Sequence, residues 1–216
     1  MLISGRGSNL DAIIEAVRTE ELPVELCAVI SNQPHAPGLW AARRHNIPTE
    51  VIDHRDFPDR NAFDRALMER IDRRQPQLVA LAGFMRVLGP DFIDHYAGQL
   101  MNVHPSLLPA FPGLHTHERA LAAGVKRHGA TVHFVTHEID NGPIIAQAEV
   151  PVLPGDTADI LAARVLAEEH RIYPLAIRWF ADGRLTVKDR RVLLDGRRHP
   201  NQGLVDAGGN PSELTP

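Results

Sequence analysis

The sequence has a single cysteine, Cys27, in 216 residues, so no internal disulfide can form and a reducing cytoplasm is the expected compartment. Long apolar runs are also missing. The longest stretches, such as residues 78–84, fall far short of the roughly 20 residues that a membrane span needs, and no signal peptide is expected at the start. Neither charge sign dominates: 23 Lys and Arg against 27 Asp and Glu leave a net charge of −4, scattered along the chain, which argues against a sequence-independent grip on nucleic acid or an anionic membrane. Twelve histidines raise the question of a metal. Neither His115-Thr116-His117 nor its neighbours make a zinc pattern such as His-Glu-x-x-His, and no metal is expected. There is no Gly-x-Ser-x-Gly elbow, and Cys27 sits in an apolar stretch, so neither a serine nor a cysteine nucleophile is supported. Small-molecule partners remain.

What is present is an ordinary globular composition, 44% hydrophobic and 23% charged, able to bury a real core. Short β-branched runs alternate with longer runs of helical period, the pattern of an α/β protein with a mainly parallel sheet. Residues 1–4 form a stub of strand. Leu10, Ile13, Ile14 and Val17 then share one helix face, with Ser8 and Asp11 as a capping box. Strands are expected at 24–30 and 50–52 with a helix at 39–44 between them. Phe63, Leu67 and Ile71 mark a third helix, residues 78–84 a central strand covered on both faces, residues 89–96 a short helix and residues 100–104 the next strand. Residues 105–113 hold three prolines and one glycine and should form a stiff irregular loop. A helix at 118–123 precedes strands at 130–135 and 144–152, which the Asp140-Asn141-Gly142 turn makes an antiparallel pair. Thr157 caps a long helix reaching about Phe180, and a hairpin of 185–187 with 192–194 completes one domain over residues 1–198. Residues 199–216 are expected to be a mobile tail.

Three features carry possible chemistry. Ser4-Gly5-Arg6-Gly7-Ser8-Asn9-Leu10 is a glycine turn between the first strand and first helix, where backbone N–H groups and the helix dipole favour an anion. The plainer reading is a tight turn, and glycines alone do not choose between the two. A dinucleotide fits less well, because Leu10 takes the third glycine position and the second strand ends in Ile30-Ser31-Asn32 where an acidic ribose ligand is wanted. A phosphate monoester is therefore preferred over NAD. Asn102-Val103-His104 sets an amide and an imidazole two residues apart in a strand, on one face, where they can hydrogen-bond a developing oxyanion. From spacing alone a satisfied polar pair at a sheet end is the plainer reading. His133, alone on its strand, reads as structural, and Asp140 by itself as a turn-forming aspartate.

Taken together, Ser4-Gly5-Arg6-Gly7-Ser8-Asn9-Leu10, Leu81-Ala82-Gly83-Phe84-Met85-Arg86, Asn102-Val103-His104-Pro105-Ser106-Leu107-Leu108-Pro109 and Gly113-Leu114-His115-Thr116-His117 resemble the phosphoribosylglycinamide formyltransferases, folate-dependent enzymes with a Rossmann-like fold. The similarity runs from Met1 to about Arg198. It implies transfer of the formyl group of 10-formyltetrahydrofolate to the amine of glycinamide ribonucleotide, giving formyl-glycinamide ribonucleotide and tetrahydrofolate in purine biosynthesis, by a cytoplasmic monomer or homodimer without nucleic acid, membrane or metal. By the same resemblance Asn102, His104 and Asp140 match the catalytic trio, Gly7, Ser8 and Asn9 the phosphate cradle, and Glu169 a ribose contact. Met85, Arg86, Val87 and Leu88, with the Asp140 loop, would line the folate pocket, and Thr131 and His133 would flank the catalytic group.

Two departures stand out. The family usually has several more residues before the first strand, so a misplaced or alternative start codon is expected here. Arg6 replaces the asparagine of some relatives. The rival within the fold is formyltetrahydrofolate deformylase, a hydrolase that usually carries an N-terminal regulatory domain for which no room is expected here. Methionyl-tRNA formyltransferase has a larger C-terminal domain, and a non-catalytic phosphate-binding module would not need the trio.

Overall fold

A computed structural model describes residues 1–198; the tail from His199, expected to be mobile, lies outside the described residues. The chain forms two compact units, Met1–Asn102 and Val103 onward.

The first unit alternates strand and helix: β1 (Leu2–Ile3), α1 (Ser8–Arg18), β2 (Val29–Ser31), α2 (Pro37–Arg44), β3 (Thr49–Val51), α3 (Arg60–Asp72), β4 (Val79–Ala82), α4 (Pro90–His95) and the first residues of β5 (Leu100–His104), whose Val103 and His104 belong to the second unit. Its strands run parallel in the order β3-β2-β1-β4-β5. The inner strands β1, β2 and β4 are buried at every residue, because helices on the crossovers cover both faces of a parallel sheet. α1 buries Leu10, Ile13 and Ile14, the spacing read from the sequence. α2 begins on Pro37, whose missing N–H costs nothing in a first turn. The side chain of Asp59 accepts the Ala62 amide at 2.8 Å and caps α3.

Three expectations are corrected here. The strand expected over 24–30 is only Val29–Ser31, because its neighbours β1 and β3 have two and three residues, and a strand extends only as far as its ladder partner. The strand expected over 78–84 stops at Ala82, since Gly83 turns to φ +65°. Ser8 and Asp11 do not form a capping box: Gly7, at φ +79°, is the N-cap of α1, and no side chain accepts from the first turn.

The second unit contains α5 (Thr116–Ala122), β6 (Arg127–Phe134), β7 (Ile144–Pro151) and α6 (Ala158–Ala181). β6 and β7 pair antiparallel with a register shift between Val132 and His133, as the Asp-Asn-Gly turn led one to expect. Thr157 accepts from the Ile160 amide and caps α6, whose buried face of Leu161, Val165, Glu169, Ile172, Tyr173 and Ala176 packs on both strands. A three-stranded antiparallel sheet follows: β8 (Leu185–Lys188), β9 (Arg191–Leu194) and β10 (Arg197–Arg198). The chain is thus α/β, with mainly parallel strands and an antiparallel C-terminal part.

The β6–β7 pair tolerates no side chain at Gly129, where a Cβ would stand 2.0 Å from the Ala148 carbonyl oxygen and 2.8 Å from Leu107 Cδ2. Gly124, at φ +65°, has open space around it. Gly129→Ala should therefore cost about 3 kcal/mol of unfolding free energy, at the upper end of overpacking, and Gly124→Ala only about 1 kcal/mol of backbone strain. Urea denaturation of the two variants checks the order.

Candidate active site

In the first unit the glycine turn lines a cavity of about 250 Å³, together with Ala82, Gly83 and Met85. Ser4, Gly5, Arg6, Gly7, Ser8 and Asn9 all contribute to it. The turn is held from several sides. Ser4 Oγ donates to Asn32 Oδ1 at 2.5 Å and accepts the Met85 amide at 2.7 Å, and the Gly38 amide donates to the Gly5 carbonyl at 3.2 Å. A Cβ at Gly7 would come within 3.0 Å of Gly38 Cα, so the close approach of the turn to α2 needs glycine as much as the positive φ does. α1 has no side-chain cap, and its N-terminus, the positive end of the helix dipole, borders the cavity, a setting that favours an anion.

In the second unit a carboxylate stands between two buried histidines. His104 is 6% and His133 2% exposed. His104 Nε2–H donates to the Phe111 carbonyl at 3.0 Å, and its Nδ1 lies 3.4 Å from Asp140 Oδ2. A carbonyl can only accept, so Nε2 carries a proton. A neutral ring would then turn a bare Nδ1 toward a carboxylate, whereas the imidazolium presents an N–H to both partners. His133 is wired the other way round. Its Nδ1–H donates to the Phe134 carbonyl at 2.9 Å, leaving Nε2 3.8 Å from Asp140 Oδ1. Burial drives its pKa below the ordinary histidine value, against the opposing pull of the Phe134 carbonyl and Asp140.

Asp140 itself adopts φ +52°, and its Oδ2 accepts the Gly113 amide at 2.8 Å. The loop around it closes tightly. A Cβ at Gly142 would stand 1.7 Å from the Phe134 carbonyl oxygen, and Glu138 takes hydrogen bonds from the Asn141 amide group and from Arg190. The loop that follows His104 is fixed by a buried network. Thr131 Oγ1 donates to the Ser106 carbonyl at 2.6 Å and accepts from the Leu108 amide and from Gln147 Nε2, while Gln147 Nε2 also donates to the Leu108 carbonyl at 2.9 Å. Thr131 and Gln147 are register partners across β6 and β7.

This geometry can be set beside known proteins. Residues 1–177 match the family described as formyl transferase. The chain belongs to the formyl transferase family. It is 53% identical over 205 residues to the phosphoribosylglycinamide formyltransferase of Escherichia coli strain K12, covering 95% of this chain and 97% of that one. It is 42% identical to the Haemophilus influenzae protein of the same name, with the same coverage. Among solved structures, the phosphoribosylglycinamide formyltransferase of Coxiella burnetii superimposes with a TM-score of 0.90 at 50% identity, over 94% of this chain and 95% of that one. A formyltetrahydrofolate deformylase from Pseudomonas syringae also superimposes, with a TM-score of 0.83, at 29% identity and over only 64% of its own length.

The residues singled out in the sequence fall into distinct places. Gly7, Ser8, Asn9 and Met85 line the first unit's cavity. Met85 and Val87 are 66% and 56% exposed, whereas Leu88, at 7%, is a core residue. Asn102 stands two residues before His104 in β5. His104, His133 and Asp140 come together, and Thr131 holds the loop that follows His104. Glu169 is 8% exposed on the buried face of α6. Gln147 escaped the sequence reading, and the signal for it was a lone amide in the apolar run of β7. Among the described residues no group of three or more His, Cys, Asp or Glu side chains is arranged to hold a metal ion.

Behind His104 lie two more histidines, His117 and His128, with rings edge to face at 5.3 Å. His128 Nε2 and His117 Nδ1 are buried without hydrogen-bond partners. Burial, then the charges of His117 and His104, lowers the His128 pKa to about 4. A depressed histidine pKa means that the unfolded chain binds the proton first. The contribution of neutral His128 to stability is whole above pH 6.5 and is lost as pH falls towards 4. His128→Phe should remove on the order of 3 kcal/mol from the loss of unfolding free energy between pH 6.5 and 4. Urea titrations at the two pH values, compared with the parent protein, measure it.

Proposed function

We propose that this chain transfers the formyl group of 10-formyltetrahydrofolate to the primary amine of glycinamide ribonucleotide, giving formyl-glycinamide ribonucleotide and tetrahydrofolate, as a cytoplasmic monomer or homodimer. The observation that carries this reading is the 53% identity to the E. coli phosphoribosylglycinamide formyltransferase over nearly the whole of both chains. The intact His104–Asp140 pair supports it. No helix among the described residues is long and apolar enough to cross a membrane.

In this reading the amine attacks the formyl carbon, a tetrahedral carbon bearing an oxyanion forms, and the bond from that carbon to the folate nitrogen breaks. The proton lost by the amine ends on that folate nitrogen. The imidazolium of His104 and the amide of Asn102 stabilise the oxyanion. Asp140 holds the imidazolium and assists the proton transfer. No covalent enzyme intermediate is needed. The Gly7-Ser8-Asn9 turn takes the ribonucleotide phosphate through backbone N–H groups, and Glu169 the ribose. Met85, Arg86, Val87 and Leu88 line the folate pocket, where the exposed Met85 and Val87 offer an apolar face to the flat heterocycle. His133 and Thr131 support from behind.

The deformylase reading keeps the same pair but needs only water as nucleophile. A bound amine has an effective concentration that reaches roughly 10⁵ M in well-oriented systems, so formyl loss should depend on the acceptor. With 10-formyltetrahydrofolate alone the protein should release formate slowly or not at all. Adding glycinamide ribonucleotide should give rapid stoichiometric formyl-glycinamide ribonucleotide. Equal donor loss without the acceptor would make the protein a hydrolase.

Asp140→Asn removes one charge and one proton acceptor at nearly constant shape. Turnover should fall by roughly 10²–10⁴-fold, with both substrates still bound. Near-normal turnover in the purified, folded variant would take Asp140 out of the mechanism.

A further inference from the structure

α3 carries a carboxylate on its buried face. Phe63, Asp64, Leu67 and Ile71 are its buried residues, and Asp64 is only 3% exposed. Its Oδ2 accepts the Gly89 amide at 2.7 Å. Gly89 is the N-cap of α4 and directly follows Leu88, the end of the stretch assigned to folate. The position is built around this bond, since a Cβ on Gly89 would stand 2.8 Å from Asp64 Oδ2. The other carboxylate oxygen, Oδ1, is buried with no hydrogen-bond partner. Burial pushes the carboxyl's pKa up, against the Gly89 hydrogen bond and the charges of Arg60 and Arg86.

Capping alone does not account for an aspartate here. Asparagine would offer Gly89 the same oxygen without a charge to desolvate, and a buried ionised carboxylate with an unpaired oxygen is costly twice over. The complementary orphan is three residues before Gly89. Arg86 Nε is likewise buried and without a partner, while the charge of its guanidinium already acts on Asp64. An acceptor lacks a donor and a donor lacks an acceptor, at two points of one short segment.

We infer that Asp64 is a positioning residue for the folate: through Gly89 it fixes the end of the Met85-Arg86-Val87-Leu88 stretch, and its second oxygen receives Arg86 Nε–H when folate bears on that stretch. The inference rests on the assignment of that stretch to folate under the proposed function. It makes the carboxylate a latch whose two oxygens serve different ends of one segment. Oδ2 holds permanently, and Oδ1 engages only with ligand.

The test is direct binding, by calorimetric titration with tetrahydrofolate and separately with glycinamide ribonucleotide, accompanied by melting curves. Asp64→Asn keeps the Gly89 acceptor and removes the charge. It should weaken tetrahydrofolate about tenfold, the size of one charge-assisted hydrogen bond, with Tm and ribonucleotide affinity unchanged. Arg86→Met should weaken tetrahydrofolate at least as much, and the double variant should be no weaker than Arg86→Met alone, because the two side chains act as one pair. Parent-like tetrahydrofolate affinity in Asp64→Asn, or additive losses in the double variant, would overturn the latch. So would a loss that falls equally on both ligands and follows a lowered Tm, which would leave Asp64 as a helix cap. Failure of the parent protein to bind tetrahydrofolate would instead strike the functional reading itself.

Discussion

Asp140 Oδ2 accepts the Gly113 amide at 2.8 Å while His104 Nδ1 stands 3.4 Å from the same oxygen and His133 Nε2 faces the other one at 3.8 Å. The rest of the second unit is arranged to keep that carboxylate in place. Its left-handed backbone is uncommon for a residue other than glycine, and it persists because Gly142 lets the loop press against the Phe134 carbonyl and because Gly113 supplies a fixed donor. The histidines are held by carbonyls at their far nitrogens, Phe111 for His104 and Phe134 for His133. Opposite ring nitrogens are thereby fixed as donors, so two residues of one type present different faces to one carboxylate. His133 is the more deeply buried of the two, and burial holds its pKa below the ordinary histidine value.

The same unit shows two ways of burying polar atoms. Thr131 and Gln147 join Ser106 and Leu108 in one buried hydrogen-bond network, and such networks in a low dielectric are rigid. That rigidity is passed to the loop that carries the Phe111 carbonyl and hence to the orientation of His104. The histidine pair behind it is the opposite case. His117 Nδ1 and His128 Nε2 are buried without partners, and the result is two rings whose protonated forms are disfavoured by burial. His104, by contrast, has Asp140 Oδ2 at 3.4 Å from its Nδ1.

Much of this was legible in the amino-acid sequence, and the limits have physical causes. Helix faces such as Leu10, Ile13 and Ile14, and the Thr157 cap, follow from local rules and appear where expected. Strand ends were read less well, because the length of β2 depends on partners distant in sequence and the end of β4 on the backbone angle of a single glycine. The capping misread at Ser8 has the same origin: a local pattern competed with Gly7, whose approach to Gly38 is visible only once α2 is in place. Resemblance to a family named the residues around Asp140, while spacing alone left them as turn and strand residues. Gln147 and Asp64 were silent, since one polar residue in an apolar pattern does not announce its partner. Leu88 is buried where Met85 and Val87 are exposed, because an irregular segment turns successive side chains to different sides.

The two halves of the proposed chemistry place opposite demands on a protein, and the chain meets them with different materials. Recognition of a phosphate monoester wants positive potential that does not depend on protonation. In the proposed function the Gly7-Ser8-Asn9 turn would supply it from amide dipoles and a helix N-terminus, neither of which titrates. Formyl transfer wants a proton that can be shared with a developing oxyanion and kept from bulk water, so it needs titratable groups under cover. His104 and Asp140 are such groups, at 7% and 12% side-chain exposure. Exchanging the two solutions would fail on each side: a histidine in the cradle would tie ribonucleotide affinity to pH, and backbone amides in place of His104 would stabilise an oxyanion without a proton to give. The division between backbone recognition and side-chain chemistry follows from what each step asks of its donors.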